Sequence, residues 1–595
     1  MKIKDEKLAK IFKFAGKTFR EHKKEIAVLS FLGVLGGFLE GIGINALVPL
    51  LSLVLKEESP ATDFITKALS NAFAYFHLSF NLTSLVVFVV VIFILKAALV
   101  LLFNYISIRI TAEYRFQIRS SLFKKALKSS WPFLLQQRIG YLEKILMDDA
   151  NIAASVLAQI SSMVLLGTSL IIYLVVAFNI SAQITLITLL FGAVIFLVFK
   201  PIIYKIRENS RKTIALNKEM AHSINENIIG MKTIKALAVE RAIGERAESN
   251  FDILKTLGIK AAFLNELVGG IMQPLTMIFI VGVFSISYLT PGFSFASFLV
   301  VMYLIQKIFS YFESFQGALR KMSERVPNFQ YAIDFENRAT KHKEKAEGKL
   351  NFKLKDKLEF SDIQFGYSPS KLVLSGVDFT LKKGEMLGLI GPSGAGKTTI
   401  VDLLLRLLHP TSGEILLDGK LAEEIKLHDW RKKIGYVSQD VFLIEGTIAD
   451  NIKFYASDVS KQEVETAAKM ANIYDFVAEL PDGFDTLVGD RGVLLSAGQR
   501  QRIALARVLA RNPEVLVLDE ATSSLDNESE LAIQKSIESL RGKITILVIA
   551  HRLSSVLSCD ELMVLENGKI IEKGKPQDLL NDNKSYFYKV YNIRD

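Results

Sequence analysis

The chain has 595 residues, half of them hydrophobic, a formal net charge of +10 and one cysteine. A single cysteine excludes an intrachain disulfide and any cysteine-based metal cage. The mean hydropathy of +0.30 is high for a soluble chain, and no motif turns the basic excess into a case for nucleic acid as partner.

In chain order, residues 1–24 hold nine Lys/Arg. Leu8, Ile11, Phe12, Ala15 and Phe19 make an apolar stripe among them, which predicts an interfacial helix on the inner leaflet. No short apolar segment with a small-residue cleavage site precedes residue 25, so a signal peptide is not expected. Apolar runs follow at roughly 26–55, 84–106, 153–178, 182–203, 261–289 and 293–312. Each is long enough to cross about 30 Å of hydrocarbon as a helix. Six spans put both ends of this domain on one side. Lys/Arg crowd the segments 1–24, 107–150 and 204–260, whereas the three opposite loops hold almost none, which sets the basic side as cytoplasmic. Membrane topology and lipid headgroups thus account for the net charge. Between the first two spans, Phe64, Ile65, Ala68, Leu69, Ala72, Phe73 and Phe76 recur at helical spacing. They predict an amphipathic helix at the outer leaflet that either guides a lipid-like substrate or anchors the span. Glu40 and Lys96 fall at comparable depth in spans 1 and 2; intramembrane ions are costly, so they either pair or line a cavity. A charged linker is expected at 331–357, after a membrane domain of residues 1–330.

Residues 358–595 read differently. Gly391-Pro-Ser393-Gly394-Ala-Gly396-Lys397-Thr398 is a full phosphate loop between an apolar strand (Met386 to Ile390) and a helix opening at Thr399. Glycines expose backbone N–H groups to phosphates and the helix N-terminus adds its positive end. Lys397 is expected on the β/γ-phosphates and Thr398 on Mg²⁺. A second apolar strand, Val515 to Leu518, ends in Asp519 and Glu520. Carboxylates at a strand's carboxyl edge suit Mg²⁺ binding by Asp519 and general-base activation of water by Glu520. A third strand, Ile544 to Ala550, ends in His551, a further catalytic candidate.

Leu495-Ser496-Ala497-Gly498-Gln499, followed by Arg-Gln-Arg-Ile-Ala-Leu-Ala-Arg, resembles the signature of ATP-binding cassette (ABC) proteins. The resemblance covers residues 358–595. It extends to Gln439 in Val-Ser-Gln-Asp, to Ser524-Leu525-Asp526, and to Tyr367, where the family stacks adenine. Alanine at 497, where the family usually has glycine, is the one departure. The resemblance implies an α-helical membrane domain of six transmembrane helices with long cytoplasmic extensions, fused to an α/β phosphate-loop ATPase domain. It implies that two copies sandwich two ATPs, so that Ser496, Gly498, Gln499 and Asp526 of one complete the site of the other. Gly391, Ser393, Gly394, Gly396, Lys397, Thr398, Thr399 and Tyr367 would then hold ATP, Gln439 would join Thr398 and Asp519 around Mg²⁺, and Glu520, His551 and Gln439 would carry hydrolysis. Trp131 to Gln136 and Ala236 to Arg246 look like the two coupling turns of an ABC exporter.

The implied protein is a homodimeric half-transporter of a bacterial inner membrane, with its ATPase domain cytoplasmic. It would export or flip an amphipathic substrate, and Glu40 to Leu51 with the outer-leaflet helix looks similar to lipid-linked oligosaccharide flippases. A multidrug or peptide exporter is the alternative within that class, and an ATP-gated channel or regulatory ABC protein the alternative outside it.

Overall fold

The computed structural model describes residues 23–55, 64–75, 77, 79–137, 140–289, 294–345, 348–368, 371–521, 526–550 and 553–593. The expected N-terminal interfacial helix lies outside these residues. Two compact units form: the chain to Ser129 with Leu135–Lys343, and Ser130–Leu134 with Glu344–Asp595.

In the first unit, six helical segments among the described residues are long and apolar enough to cross a membrane. Span 1 runs Lys24–Leu55, span 2 Leu82–Leu127, span 3 Tyr141–Ile180, span 4 Ala182–Ile229, span 5 Glu240–Tyr288 and span 6 from Phe295. The span 2 helix has 46 residues, about 70 Å at ~1.5 Å per residue, more than twice the hydrocarbon thickness. Its second half is the polar, basic stretch after residue 106, so one uninterrupted helix passes from lipid into water. The helix of span 6 likewise continues to Lys341, so the first part of the expected linker at 331–357 is helical. Its cytoplasmic end is fastened to that of span 2, where Lys125 Nζ and Ser121 Oγ donate to Glu336 Oε1 (2.5 and 3.2 Å).

The spans pack through apolar side chains. Ile44 and Val48 of span 1, Tyr173 and Val176 of span 3, and Val300, Leu304 and Ile308 of span 6 form one core. Span 2 buries only 11% of its most apolar window; Val87, Ile94 and Leu101 point outward, the pattern of a helix whose remaining face meets lipid. A short helix, Trp131–Leu135, stands where the first coupling turn was expected. Within Ala236 to Arg246, where the second turn was expected, the chain breaks once. A helix Met231–Ala236 closes at Ala238, whose φ is 53°, and from Glu240 the chain already belongs to the 49-residue helix of span 5.

The outer-leaflet helix forms at Phe64–Tyr75. Leu69 and Phe73 are buried, with Ala46, Leu50, Leu85 and Phe88 around them. Phe73 meets Phe80 and Phe88 edge-on at 5.5 and 5.4 Å. These side chains grip spans 1 and 2 rather than face the membrane, which favours the anchor over the lipid guide; the side chains of Phe64, Ile65, Ala68, Ala72 and Phe76 lie outside the described ones. Replacing Leu69 and Phe73 by Ser should cost about 3 kcal/mol of stability per site. A thermal melt reads that loss, and transport per folded molecule should stay unchanged.

In the second unit, the central six-stranded sheet has the order β10-β9-β3-β8-β7-β6. Its strands are β3 (Met386–Ile390), β6 (Ile434–Val437), β7 (Val515–Asp519), β8 (Thr545–Ile549), β9 (Glu561–Glu566) and β10 (Lys569–Gly574), all parallel to their neighbours except β10. An antiparallel sheet, β2-β1-β4-β5, uses β1 (Lys357–Phe365), β2 (Leu374–Lys382), β4 (Ser412–Leu417) and β5 (Lys420–Leu421). Every residue of β3, β7 and β8 is buried, which is why these strands read as unbroken apolar runs. Alternation shows in the packing. Leu516, Leu518, Ile546 and Val548 enter one core, Val515, Val517, Leu547 and Ile549 the other. Cys559 sits in the first core, and burial pushes its thiol up to about 12, as befits a small apolar filler.

Candidate active site

The carboxyl ends of β3, β7 and β8 open side by side, where open α/β sheets place their chemistry. The loop after β3 needs its glycines. Gly391 has φ 151°, and a Cβ there would lie 2.0 Å from the Leu565 carbonyl oxygen. Gly396 has φ 108°, and a Cβ would meet Leu374 Cδ2 at 2.7 Å. The helix Lys397–Leu404 follows directly. Lys397 is buried, and its ammonium donates to the carbonyls of Gly391 (2.8 Å) and Pro392 (3.1 Å), folding the loop around its own cation. Burial pushes this ammonium below its ordinary value, and the carboxylates of Glu520 and Asp519 pull it back up. Ser393 and Gly394 are exposed on the loop and Thr398 in the first turn of the helix, while Thr399 is buried with its hydroxyl 3.4 Å from that of Tyr367. The Tyr367 ring is 63% exposed and braced edge-on by Phe365 at 5.0 Å, leaving a face open to a planar base.

Glu520 follows β7 with φ 51°, a left-handed conformation that a non-glycine side chain rarely takes. Its N–H donates to the Ile549 carbonyl at 2.9 Å, so pairing with β8 holds the strained turn. Such strain concentrates where a side chain must be aimed. Asp519, buried, accepts from the Tyr436 hydroxyl at 3.3 Å. Asp402, near the end of the phosphate-loop helix, is pushed up to about 6 by burial and by the Asp519 carboxylate. Tyr436 and Asp402 were not singled out from the sequence. Asp402 stands four residues beyond Thr398, one helical turn on, and that spacing was the available signal.

The remaining candidates gather elsewhere in the unit. Ser496 caps the helix Ala497–Leu509, accepting from Gln499 N–H (3.2 Å), while Gln499 Oε1 accepts from Ser496 N–H (2.8 Å). Ser496 is exposed beside Val493 and Leu494, which are 72% and 71% exposed, an apolar rim for a signature that faces outward. Asp526 caps the helix Asn527–Leu540 by accepting from Ser529 N–H at 3.1 Å. Gly498 packs against that helix: a Cβ there would lie 2.2 Å from Ser529 Oγ. Ala497 takes the first turn of its helix without a positive φ, so its methyl group is tolerated. Gly498→Ala should therefore lower the melting temperature and ATPase activity, at an overpacking cost of about 1–3 kcal/mol. Ala497→Gly should cost no more than about 1 kcal/mol. Equal effects in thermal melts would show that close packing does not set the glycine requirement.

Gln439 is exposed just after β6. Its segment is tied to the signature helix, because Gln501 Nε2 donates to the Ser438 carbonyl (3.3 Å) and Arg507 to the carbonyls of Phe442 (2.7 Å) and Asn451 (2.8 Å). His551, Ser524 and Leu525 lie outside the described residues.

Hard oxygen donors, the Thr398 hydroxyl and the Asp519 carboxylate, with Asp402 near by, fit Mg²⁺, which takes few protein ligands and completes its shell with phosphate and water. Among the described residues no group of three or more His, Cys, Asp or Glu makes an all-protein metal cage.

Comparison with known proteins agrees with this geometry. The family model for the ABC transporter transmembrane region matches residues 26–315, and that for the ABC transporter matches 374–523. The chain is 36% identical over 416 residues to the heterocyst differentiation ATP-binding protein HepA of Nostoc sp., covering 69% of this chain and 67% of that one. It is 33% identical to the ATP-dependent lipid A-core flippase of Francisella novicida, over 79% of this chain and 81% of that one. The chain belongs to the ABC transporter family. The flippase of Burkholderia thailandensis is likewise 33% identical, over 82% and 81% of the two chains. A bacterial Atm1-family ABC exporter with ATP bound shares the fold, with a TM-score of 0.77 at 23% identity over 97% of this chain and 99% of that one. This ABC exporter is a multi-pass membrane protein with a cytoplasmic ATPase unit that binds ATP and couples its hydrolysis to transport.

Proposed function

We propose that the exporter works as a homodimer that moves an amphipathic, lipid-like substrate between leaflets by alternating access. The observation that carries the lipid reading is the 33% identity to lipid A-core flippases across four-fifths of the chain. The charged pair within its spans, a buried Glu40 and a half-buried Lys96, supports a polar-headed cargo. In the ATPase unit, Lys397 and the loop N–H groups hold the phosphates and Tyr367 stacks the adenine. Thr398, Asp519 and Gln439 hold Mg²⁺, which supplies charge neutralisation at the phosphates. Glu520 takes the proton of the attacking water, His551 completes the hydrolytic set, and Ser496, Gly498, Gln499 and Asp526 of the partner copy close the site. The outward-facing signature with its apolar rim supports that arrangement, since a capped helix N-terminus open to solvent is a ready anion site.

ATPase activity in lipid nanodiscs across a panel of phospholipids, glycolipids, peptides and drugs tests the reading. Stimulation by the lipid class alone is expected. Stimulation by peptides or drugs without any lipid response would replace it with the multidrug or peptide exporter.

A further inference from the structure

Strand β6 carries a residue that the hydrolytic set leaves out. Tyr436 pairs with Val517 of β7, and both side chains take the face of the sheet that packs into the core with Val401 and Leu404. Asp519, two residues beyond Val517, is on that face too, at the carboxyl edge. The Tyr436 hydroxyl reaches it and donates to Oδ2 at 3.3 Å. An ionised carboxylate can only accept, so the direction of this bond is fixed. The distance is long for a hydroxyl donor, as is common for catalytic hydrogen bonds before the reacting complex tightens them. Asp402, on the helix that starts at Lys397, stands within electrostatic reach of both groups. A ring that only filled the core would need no hydroxyl; this one is aimed at the carboxylate assigned to the metal.

We propose that Tyr436 sets which metal ion this ATPase prefers, by engaging one oxygen of Asp519 so that the carboxylate does not chelate the ion through both. The inference rests on the reading of Asp519 as a Mg²⁺ ligand and adds a specificity-determining residue behind it. Mg²⁺ demands near-ideal octahedral geometry and takes few protein oxygens, whereas Ca²⁺ takes about six to eight and accepts a carboxylate through both of its oxygens. Two acids as near to each other as Asp519 and Asp402 would by themselves suit Ca²⁺. An oxygen that accepts the phenol proton has less electron density to offer a cation, so two-oxygen chelation is disfavoured and the Mg²⁺ arrangement is kept. The bond has a second consequence. Tyr436 lies three residues before Gln439, so it also ties the strand leading to that glutamine to Asp519. Partners that orient a metal ligand in this way typically govern about 10–100-fold in metal affinity.

The test uses the full chain in lipid nanodiscs, its sites loaded with a non-hydrolysable ATP analogue, and requires no turnover. Mn²⁺ is bound first and then displaced by Mg²⁺ or by Ca²⁺, and the electron paramagnetic resonance signal of the released ion reads each affinity. Tyr436→Phe removes the hydroxyl and keeps the ring. It should weaken Mg²⁺ about tenfold and leave Ca²⁺ as tight as before or tighter, so the preference for Mg²⁺ over Ca²⁺ falls about tenfold or more. Replacing Tyr436 by 4-aminophenylalanine returns a donor to the same place and should return the preference. Tyr436→Met, which also lacks the donor, gives the same reading if the Phe protein does not fold. Proportional loss of both ions, or no change in either, in a folded protein would show the ring to be core filler and overturn the inference. Asp519→Asn separates this outcome from failure of the reading beneath it. If that variant binds Mn²⁺ as wild type does, Asp519 is no metal ligand and both fall. If it binds Mn²⁺ weakly while Tyr436→Phe keeps the wild-type preference, only the role of Tyr436 falls.

Discussion

Glu520→Gln should abolish steady ATP turnover while leaving ATP binding intact. The substitution keeps the shape of the side chain and its ability to hydrogen-bond, and removes only the base. Loss of a positioned general base costs about 10²–10⁴-fold in rate. The backbone supports the assignment, because Glu520 is held in a left-handed turn by its N–H bond to Ile549, at the carboxyl edge next to the Lys397 loop. The phosphate loop does not depend on that carboxylate for its shape: Lys397 is held by the Gly391 and Pro392 carbonyls. Binding of a fluorescent ATP analogue should therefore match wild type within a few-fold, and, if the proposed homodimer forms, the trapped ATP should drive its closure. Turnover within about tenfold of wild type would show that another group takes the proton.

Much of this molecule was legible because its physical signals are local. A buried parallel strand is largely apolar, so Val515 to Leu518 and Ile544 to Ala550 announced themselves, and the acids Asp519 and Glu520 after the first of them fell at the sheet's carboxyl edge. The phosphate loop was equally legible, since Gly391 and Gly396 answer to contacts that no side chain permits. Hydropathy found the spans but not their helices: beyond residue 106 the span 2 helix turns polar without ending, and hydropathy reports solvent rather than backbone. The exact position of the break within Ala236 to Arg246 was hidden for a related reason, as it rests on a positive φ at Ala238, a residue whose type gives no warning. Asp402 and Tyr436 stayed hidden because their role comes from proximity to Asp519 across the sheet and helix. Comparable depth suggested that Glu40 and Lys96 could meet, and they do; that the pair borders a cavity needed the packing of spans 3 and 6. The stripe on the outer-leaflet helix was read from the sequence, yet a stripe cannot say which surface it covers.

Dimers that carry two lesions should differ sharply in activity according to how the lesions are distributed. Lys397→Ala removes the cation of the phosphate loop, and Ser496→Arg blocks the open N-terminus of the signature helix. Ser496 and Gln499 spend their described hydrogen bonds on each other, and the exposed Val493 and Leu494 beside them point to a second surface. If each loop meets the partner's signature, lesions in opposite subunits fall on one composite site and spare the other. Both lesions in a single subunit disable both sites, because its loop spoils one and its signature spoils the second. Tandem-tagged dimers purified in the two arrangements isolate this difference, since composition and lesion count are the same. The opposite-chain dimer should retain activity from its intact site, and the same-chain dimer should fall to the level of the homodimer with Lys397→Ala in both copies. Single-turnover hydrolysis provides the stricter reading, as it counts competent sites without requiring a transport cycle: one site per dimer is expected in the first arrangement and none in the second. Equal residual activity would mean that each chain completes its own site, and the outward-facing signature would then need another purpose.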